Sequence, residues 1–333
     1  MQLLECVDFA GAYRGPDAVL MPVHFHYVAP SFWAWKGGEE RLKDLVHFVD
    51  HLLCVLPSED EICRSHGLSA SFVGHPALED ILDLKSTLEN QNSLGERKNE
   101  ENTEDLPRKF SIPTGALALS VLPGSRLQEV NRMLPIFSNT IQQLRHSFPD
   151  LVTIIHIAPN KLVEDYTREF LNKWPVPYVL VPGGNQRLKY DAFNVSQAAL
   201  CTSGTVALEL HLARLPFIVA YRAHILTEWF IRYKAKISYI SLPNILTNSP
   251  IIPEVLFNTC QPSKLAALLT ELITSKELRE RQIQGAEKVT ELLLPPEKLM
   301  NILRDHPVCE LRDFRPSLVA ASTILNPNSS SHS

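Results

Sequence analysis

Two stretches of the sequence join a short apolar run, a glycine and small hydroxyl side chains in the order that builds an anion site. In the first, Leu122-Pro123-Gly124-Ser125-Arg126 closes the apolar run 116–122, and Glu129 follows. A strand ending in a Gly-Ser turn before a helix aims backbone N–H groups and the positive helix end into the crevice beyond the strand. Ser125 is expected to cap that helix, with Glu129 closing back on its first turn. Arg126 would direct a guanidinium at the same anion. In the second stretch, Cys201-Thr202-Ser203-Gly204-Thr205 repeats the junction, with Glu209 one helical turn beyond Thr205. Each motif alone also reads as an ordinary helix start. Two such cradles in neighbouring strand–helix units suit a diphosphate.

A third group, Leu242-Pro243-Asn244 with Glu254 further on, reads as a turn and a loop carboxylate. Such a carboxylate can accept two hydrogen bonds from a ribose diol, and the Asn can bracket a base or a phosphate. The stretch 27–35 is dense in aromatics; core packing explains most of it, although Trp33 beside Ser31 can also line a cleft for a lipid or sugar face. His26 and His75 end early strand patterns, where a structural histidine is the commoner outcome. The sequence holds no HExxH, P-loop or CxxC pattern and no Ser-His-Asp order, so no metal, P-loop or triad chemistry is expected.

The elements that must hold these residues alternate. Strand patterns at 116–122, 151–158, 178–181, 199–201 and 217–221 are separated by helical patterns at 161–174, 190–197 and 204–213. A further helix follows 116–122, with Val130, Leu134, Phe137, Ile141 and Leu144 at three- and four-residue spacing. This order implies an α/β fold with a parallel sheet covered on both faces. Strands at 23–28, 52–56 and 72–73 with a helix at 39–49 give a smaller α/β signal ahead of it. The expected division is a partial N-terminal α/β domain (1–82), a charged loop (83–113), a Rossmann-like domain with terminal helices (114–319) and a disordered tail (320–333). The loop is rich in Glu, Lys, Arg and Asn and too poor in apolar residues to offset its ordering entropy.

Composition narrows the partners. With 45% apolar and 21% charged residues in 333, the chain is globular, and a formal charge of −5 gives no broad footprint for nucleic acid. The six cysteines are scattered and read as reduced thiols of a cytosol-like compartment. No apolar run approaches the ~20 residues of a spanning helix, and residues 1–22 lack a signal-peptide pattern.

Taken together, the motifs resemble those of lipid-A-disaccharide synthases, inverting glycosyltransferases of the GT-B type. The likeness runs from His26 to about Leu294. It is carried by His26-Tyr27-Val28-Ala29-Pro30-Ser31-Phe32-Trp33-Ala34-Trp35, Phe72-Val73-Gly74-His75-Pro76, Leu122–Arg126 with Glu129, Ser203–Glu209, Tyr221-Arg222 and Ser241–Asn244. The resemblance implies two Rossmann-like domains facing a cleft, with the donor UDP-diacylglucosamine on the C-terminal one. The acceptor would be a diacylglucosamine 1-phosphate (lipid X), and the products a β-1,6 disaccharide and UDP. It implies no cofactor, no metal and peripheral contact with a membrane. Arg126 would stabilise the leaving diphosphate; Gly124, Ser125, Ser203, Gly204, Thr205, Glu209, Tyr221, Arg222, Asn244 and Glu254 would surround the nucleotide. His26, Ser31, Trp33 and His75 would face the acceptor.

The departure is at the front. The family has a larger N-terminal unit with a G-I-D-x-P-x-F-N-like strand end, whose Asp is its general base. Cys6-Val7-Asp8-Phe9-Ala10 matches it only faintly and stands closer to His26, which makes Asp8 a weak candidate for that base. Residues 1–22 read as a truncated or alternatively spliced start, and a plant, mitochondrion-associated member is one expectation. Two alternatives stay open at this point: a silent UDP-binding fragment and a UDP-sugar epimerase of related fold.

Overall fold

The computed structural model describes residues 23–80, 106–223, 225–296 and 315–325. Within them the chain forms two α/β units, each with an all-parallel sheet. Residues 1–22, with Asp8, and most of the charged loop lie outside the described residues.

The smaller unit contains β1 (Phe25–Tyr27), β2 (His51–Cys54) and β3 (Ala70–Phe72), hydrogen-bonded in that order. Helices α1 (Glu40–Leu45) and α2 (Pro57–Ser65) connect them. One face of the sheet packs Phe32, Leu42, Leu52, Cys54, Cys63 and Leu68 into a core. On the other, Leu53 and Val73 meet Val319 and Ala320.

The larger unit supplies the positioning frame. Its strands are β4 (Leu117–Leu122), β5 (Leu151–His156), β6 (Tyr178–Val181), β7 (Ala198–Cys201), β8 (Phe217–Tyr221) and β9 (Glu254–Leu256), ordered β6-β5-β4-β7-β8-β9. Between them run α3 (Leu127–Ser147), α4 (Lys161–Leu171), α5 (Gln186–Val195), α6 (Thr205–Leu212), α7 (Ile225–Lys234) and α8 (Leu242–Thr247). Helices α9 (Pro262–Thr274) and α10 (Lys276–Leu293) follow β9. Near-continuous apolar strands such as β5 and β7, buried along their whole length, are what a sheet covered on both faces demands. Helix α3 turns Met133, Phe137, Ile141 and Leu144 onto this sheet, all at most 1% exposed. Each such side chain contributes about 1.5–3 kcal/mol by leaving water.

The chain winds outward from β4 through β5 to β6 and then restarts on the opposite side of β4 with β7. This reversal leaves a crevice beyond the carboxyl ends of β4 and β7. Leu122 pairs with Cys201, so the two glycine loops leave the sheet side by side. His156 pairs with Val181, which sets the next two loops together in the same way.

Several expected boundaries move. The helix expected over 190–197 begins earlier, at Gln186, because Asn185 caps it by accepting from Leu188 N at 2.9 Å. The segment 242–244, expected as a turn, opens α8 with a proline in its first turn. Phe110 and Ile112, assigned to the charged loop, are buried in the larger unit against Val152 and Ala192. Residues 320–325, assigned to a disordered tail, belong to α11 (Pro316–Leu325), whose Val319 and Thr323 are buried. The apolar face of α11 seals the small sheet, so the last described helix belongs to the first unit and not to the second.

Candidate functional site

A cavity of about 390 Å3 opens at the ends of β4, β5, β6 and β7. One wall comes from the two glycine loops. Gly124 sits at φ +124° and Gly204 at φ +149°, conformations that L side chains avoid. The structure brings Gly124, Ser125, Ser203, Gly204, Thr205 and Glu209 together on this cavity, joined by Glu129 and Thr202.

The local chemistry differs from the expected cap. Helix α3 starts at Leu127 with Arg126 at its cap position, and no side chain caps it. Ser125 is therefore not the N-cap. Its backbone N–H donates to Glu129 Oε2 at 3.1 Å, so Glu129 closes back on the helix start as expected, although Arg126 and not Ser125 holds the cap position. The Thr202 hydroxyl also donates to Glu129, tying the β4 loop to the β7 loop. Burial pushes the Glu129 carboxyl up from its ordinary value, opposed by these hydrogen bonds. A Cβ at Gly124 would also overlap the Glu129 carboxylate and force that side chain to move.

The second cradle is more open. Helix α6 has Gly204 at its cap and no side-chain cap bond; Ala207 N donates to the Gly204 carbonyl at 3.2 Å, while Thr205 and Val206 at the helix start line the cavity. A Cβ at Gly204 would meet nothing within 4 Å. This leaves room for an anion against the helix start.

The opposite wall was not legible in the sequence. It is built by Ile157, Ala158 and Pro159 after β5, by Val181 at the end of β6, and by Pro182 and Gly183 after it. Gly183 lies so close to Ala158 and Pro159 that a Cβ would overlap their backbone. Below, Lys189 of α5 donates to Glu209 Oε2 at 2.6 Å, with side chains 19% and 15% exposed. His156 lines the floor, 7% exposed, and burial pushes its imidazole down to about 3, with the nearby Lys189 charge adding to the effect. The only advance signals were a Gly-Gly pair after a strand and a histidine inside an apolar run.

Other expected site residues lie elsewhere. Arg126 is exposed beside Ser125 at the start of α3, next to the cavity lining. Tyr221 ends β8 and packs edge-on against Phe257, and Arg222 is exposed with its carbonyl accepting from Arg132 at 3.4 Å. Glu254 is no loop carboxylate: it starts β9 and accepts from Ile240 N, Ser241 N, Ser241 Oγ and Asn244 Nδ2 at 2.6–3.0 Å. Asn244 is fully buried, its amide donating to the Ile252 carbonyl and accepting from the Ile252 N–H, each at 2.8 Å. Both side chains are occupied in fastening the loop around α8, and neither lines the cavity.

In the smaller unit, His26 lies exposed at the centre of β1 and Ser31 is exposed before the 3-10 turn Phe32–Ala34. Trp33 donates to Glu59 Oε1 at 2.9 Å; Glu59 is 3% exposed, and burial raises its carboxyl. His75 is buried and pushed down to about 4, with Nδ1 accepting from Ala77 N at 3.1 Å. Val28, between His26 and Ser31, holds φ +72°, a strained setting for a β-branched residue. Among the described residues no group of His, Cys, Asp and Glu is arranged to hold a metal, and no helix is long and apolar enough to cross a membrane.

The larger unit is thus a doubly wound α/β nucleotide-fold domain with an anion-compatible cavity at its switch point. The sequence model of the Lipid-A-disaccharide synthetase family matches residues 21–302, and the chain belongs to that family. It is 57% identical over 307 residues to a probable mitochondrial lipid-A-disaccharide synthase of Arabidopsis thaliana, covering 91% of this chain and 65% of the relative. Identity to the lipid-A-disaccharide synthase of Rhodospirillum centenum is 36% over 305 residues, covering 89% and 70%. The chain therefore spans about two thirds of the length of these relatives. Among solved structures it is similar to the UDP-GlcNAc 2-epimerase of Neisseria meningitidis bound to UDP-GlcNAc. That match has a TM-score of 0.49 and 14% identity, over 74% of this chain and 61% of that one. It is also similar to WaaG, a glycosyltransferase of lipopolysaccharide biosynthesis, with TM-score 0.43 and 14% identity over 77% and 63%.

Proposed function

We propose that this chain binds UDP-2,3-diacylglucosamine in the cavity of the larger unit. It transfers the sugar to 2,3-diacylglucosamine 1-phosphate, forming lipid A disaccharide 1-phosphate and releasing UDP. The observation that carries the reading is the pairing of two glycine cradles at the switch point of a chain that belongs to the synthase family.

The geometry suits the chemistry. Inverting displacement at an anomeric carbon passes through an oxocarbenium-like transition state while charge accumulates on the departing diphosphate. The leading N–H groups of α6 and the hydroxyls of Ser203 and Thr205 meet that charge preorganised, and Arg126 reaches it from the neighbouring helix start. Glu209, held by Lys189, offers a fixed carboxylate for a ribose diol. Acylated substrates imply work at a membrane surface. Helix α7 supports that contact, with Trp229 and Tyr233 exposed and stacked at 5.8 Å between centroids. A mitochondrial setting is proposed from the Arabidopsis relative.

The test is an assay of the 333-residue chain with acylated UDP-glucosamine and lipid X, alongside calorimetry with UDP. Disaccharide should form, and Arg126→Ala should lower its rate on the order of 10²-fold or more. Near-unchanged turnover in that variant would remove Arg126 from the leaving-group role. UDP binding without any disaccharide would assign the chain a binding function only.

A further inference from the structure

The cavity that suits a diphosphate also carries carboxylates. Among the described residues, the ionisable side chains lining it are Glu129, Glu209, Lys189 and His156. Burial pushes the imidazole of His156 down to about 3, so the ring is neutral and supplies no positive charge. Glu129 is tied to the root of the first cradle by the Ser125 N–H and the Thr202 hydroxyl. Glu209 stands one helical turn beyond Thr205, and both line the cavity. Left bare, a carboxylate there would oppose the anion that the cradle attracts.

Lys189 removes that conflict. Its ammonium donates to Glu209 Oε2 at 2.6 Å, and both side chains are largely shielded from water. The same ammonium lies 5.6 Å from the centroid of the buried Tyr190 ring, a second contact that orders it. The pair joins two separate helices, α5 and α6, unlike the i,i+4 pair Lys161–Asp165, which lies on one exposed helix face. Shielded ion pairs pay for their desolvation, and apolar side chains of similar volume would brace two helices as well. A charged pair at this place therefore points to a ligand. Lys189 engages Oε2 and leaves Oε1 outside the bond, so Glu209 keeps an accepting atom while its charge is cancelled.

Resting on the reading of this cavity as the UDP site, we propose that Lys189 is a positioning residue for the nucleotide. It orients the Glu209 carboxylate to accept from sugar hydroxyls, and it cancels the charge that would otherwise repel the phosphates beside it. The wall thereby meets two demands that a bare carboxylate cannot meet together.

The experiment is calorimetric binding of UDP and of uridine to the full chain. Both ligands carry the same base and ribose, so the ratio of their affinities isolates the phosphates. Lys189→Met should lower that ratio roughly tenfold or more, chiefly by weakening UDP, the order that one uncompensated charge supplies in a partly buried site. Glu209→Gln breaks the same pair but leaves the ammonium, and should raise the ratio roughly threefold or more. The double variant should return it close to wild type. A pair that only braces α5 against α6 would weaken both ligands alike in either variant. An unchanged ratio in Lys189→Met and Glu209→Gln therefore overturns the role of Lys189 and leaves the UDP site standing. If Lys189→Met does not fold, Glu209→Gln decides alone. Failure of wild type to bind UDP overturns the donor-site reading itself.

Discussion

Substituting Gly124 by alanine tests how the two glycine loops are tied. At φ +124° an alanine is strained by about 1–3 kcal/mol. The new methyl also overlaps Glu129, which must give up its bonds to Ser125 N and the Thr202 hydroxyl. Hydrogen bonds to a charged group contribute about 1.5–3 kcal/mol, so the combined cost is roughly 2.5–6 kcal/mol. Against a typical domain stability of about 5–15 kcal/mol, that is large enough to measure by urea unfolding. The mechanism separates the two parts. In a Glu129→Ala background the overlap is gone, and Gly124→Ala should cost only its backbone strain, about 1.5–3 kcal/mol less than in wild type. UDP binding should weaken roughly tenfold or more in the single variant, because the loop that faces the phosphates is displaced. Equal costs in both backgrounds, within about 0.5 kcal/mol, would refute the Glu129 tie.

Two further outcomes follow from buried charges. Lys189→Met leaves the Glu209 carboxylate, 15% exposed, without its cation, and should lower stability by about 1–3 kcal/mol. Adding Glu209→Gln should restore part of that loss in denaturant titrations. His51 is pushed down to about 4 by burial and by the Arg64 charge, while the unfolded chain titrates at 6.5. The unfolded state then binds the proton first, so the neutral ring's contribution is present above 6.5 and is lost as pH falls toward 4. The raised carboxyls of Glu59 and Glu129 favour the folded state in the opposite sense as pH falls, so the comparison must be made between variants. Stability of His51→Gln should decline less steeply than wild type between those pH values, read from unfolding midpoints; parallel curves would argue against it.

The sequence carried the frame well where a single signal decides an element. Strands β6 and β8 fall at the expected residues 178–181 and 217–221, because an apolar run bounded by Pro or Gly has one reading. The glycine loops were legible for the same reason. What stayed hidden depended on partners distant in sequence. His156 reads as one more residue of an apolar strand until Ser120, 36 positions away and itself bonded to Ser196 a further 76 positions along from it, meets its ring. Glu254 has the composition of a ligand group, yet four donors from its own loop occupy it. The strain at Val28 has no sequence signature, since nothing local asks a valine to adopt φ +72°.

The small sheet has a further consequence for how the chain is made. Its second face is closed by Val319 and Ala320, and the space beside Gly74 is bordered by Pro295 and Pro316. A ribosome therefore releases the first strands long before the helix that shelters them. The larger unit, whose last segment ends at Thr290, has all its parts in hand sooner. Synthesis order and completion order run opposite ways: the unit begun first is finished last. During that interval Leu53, Val73, Phe25 and Tyr27 are uncovered, a natural foothold for a chaperone.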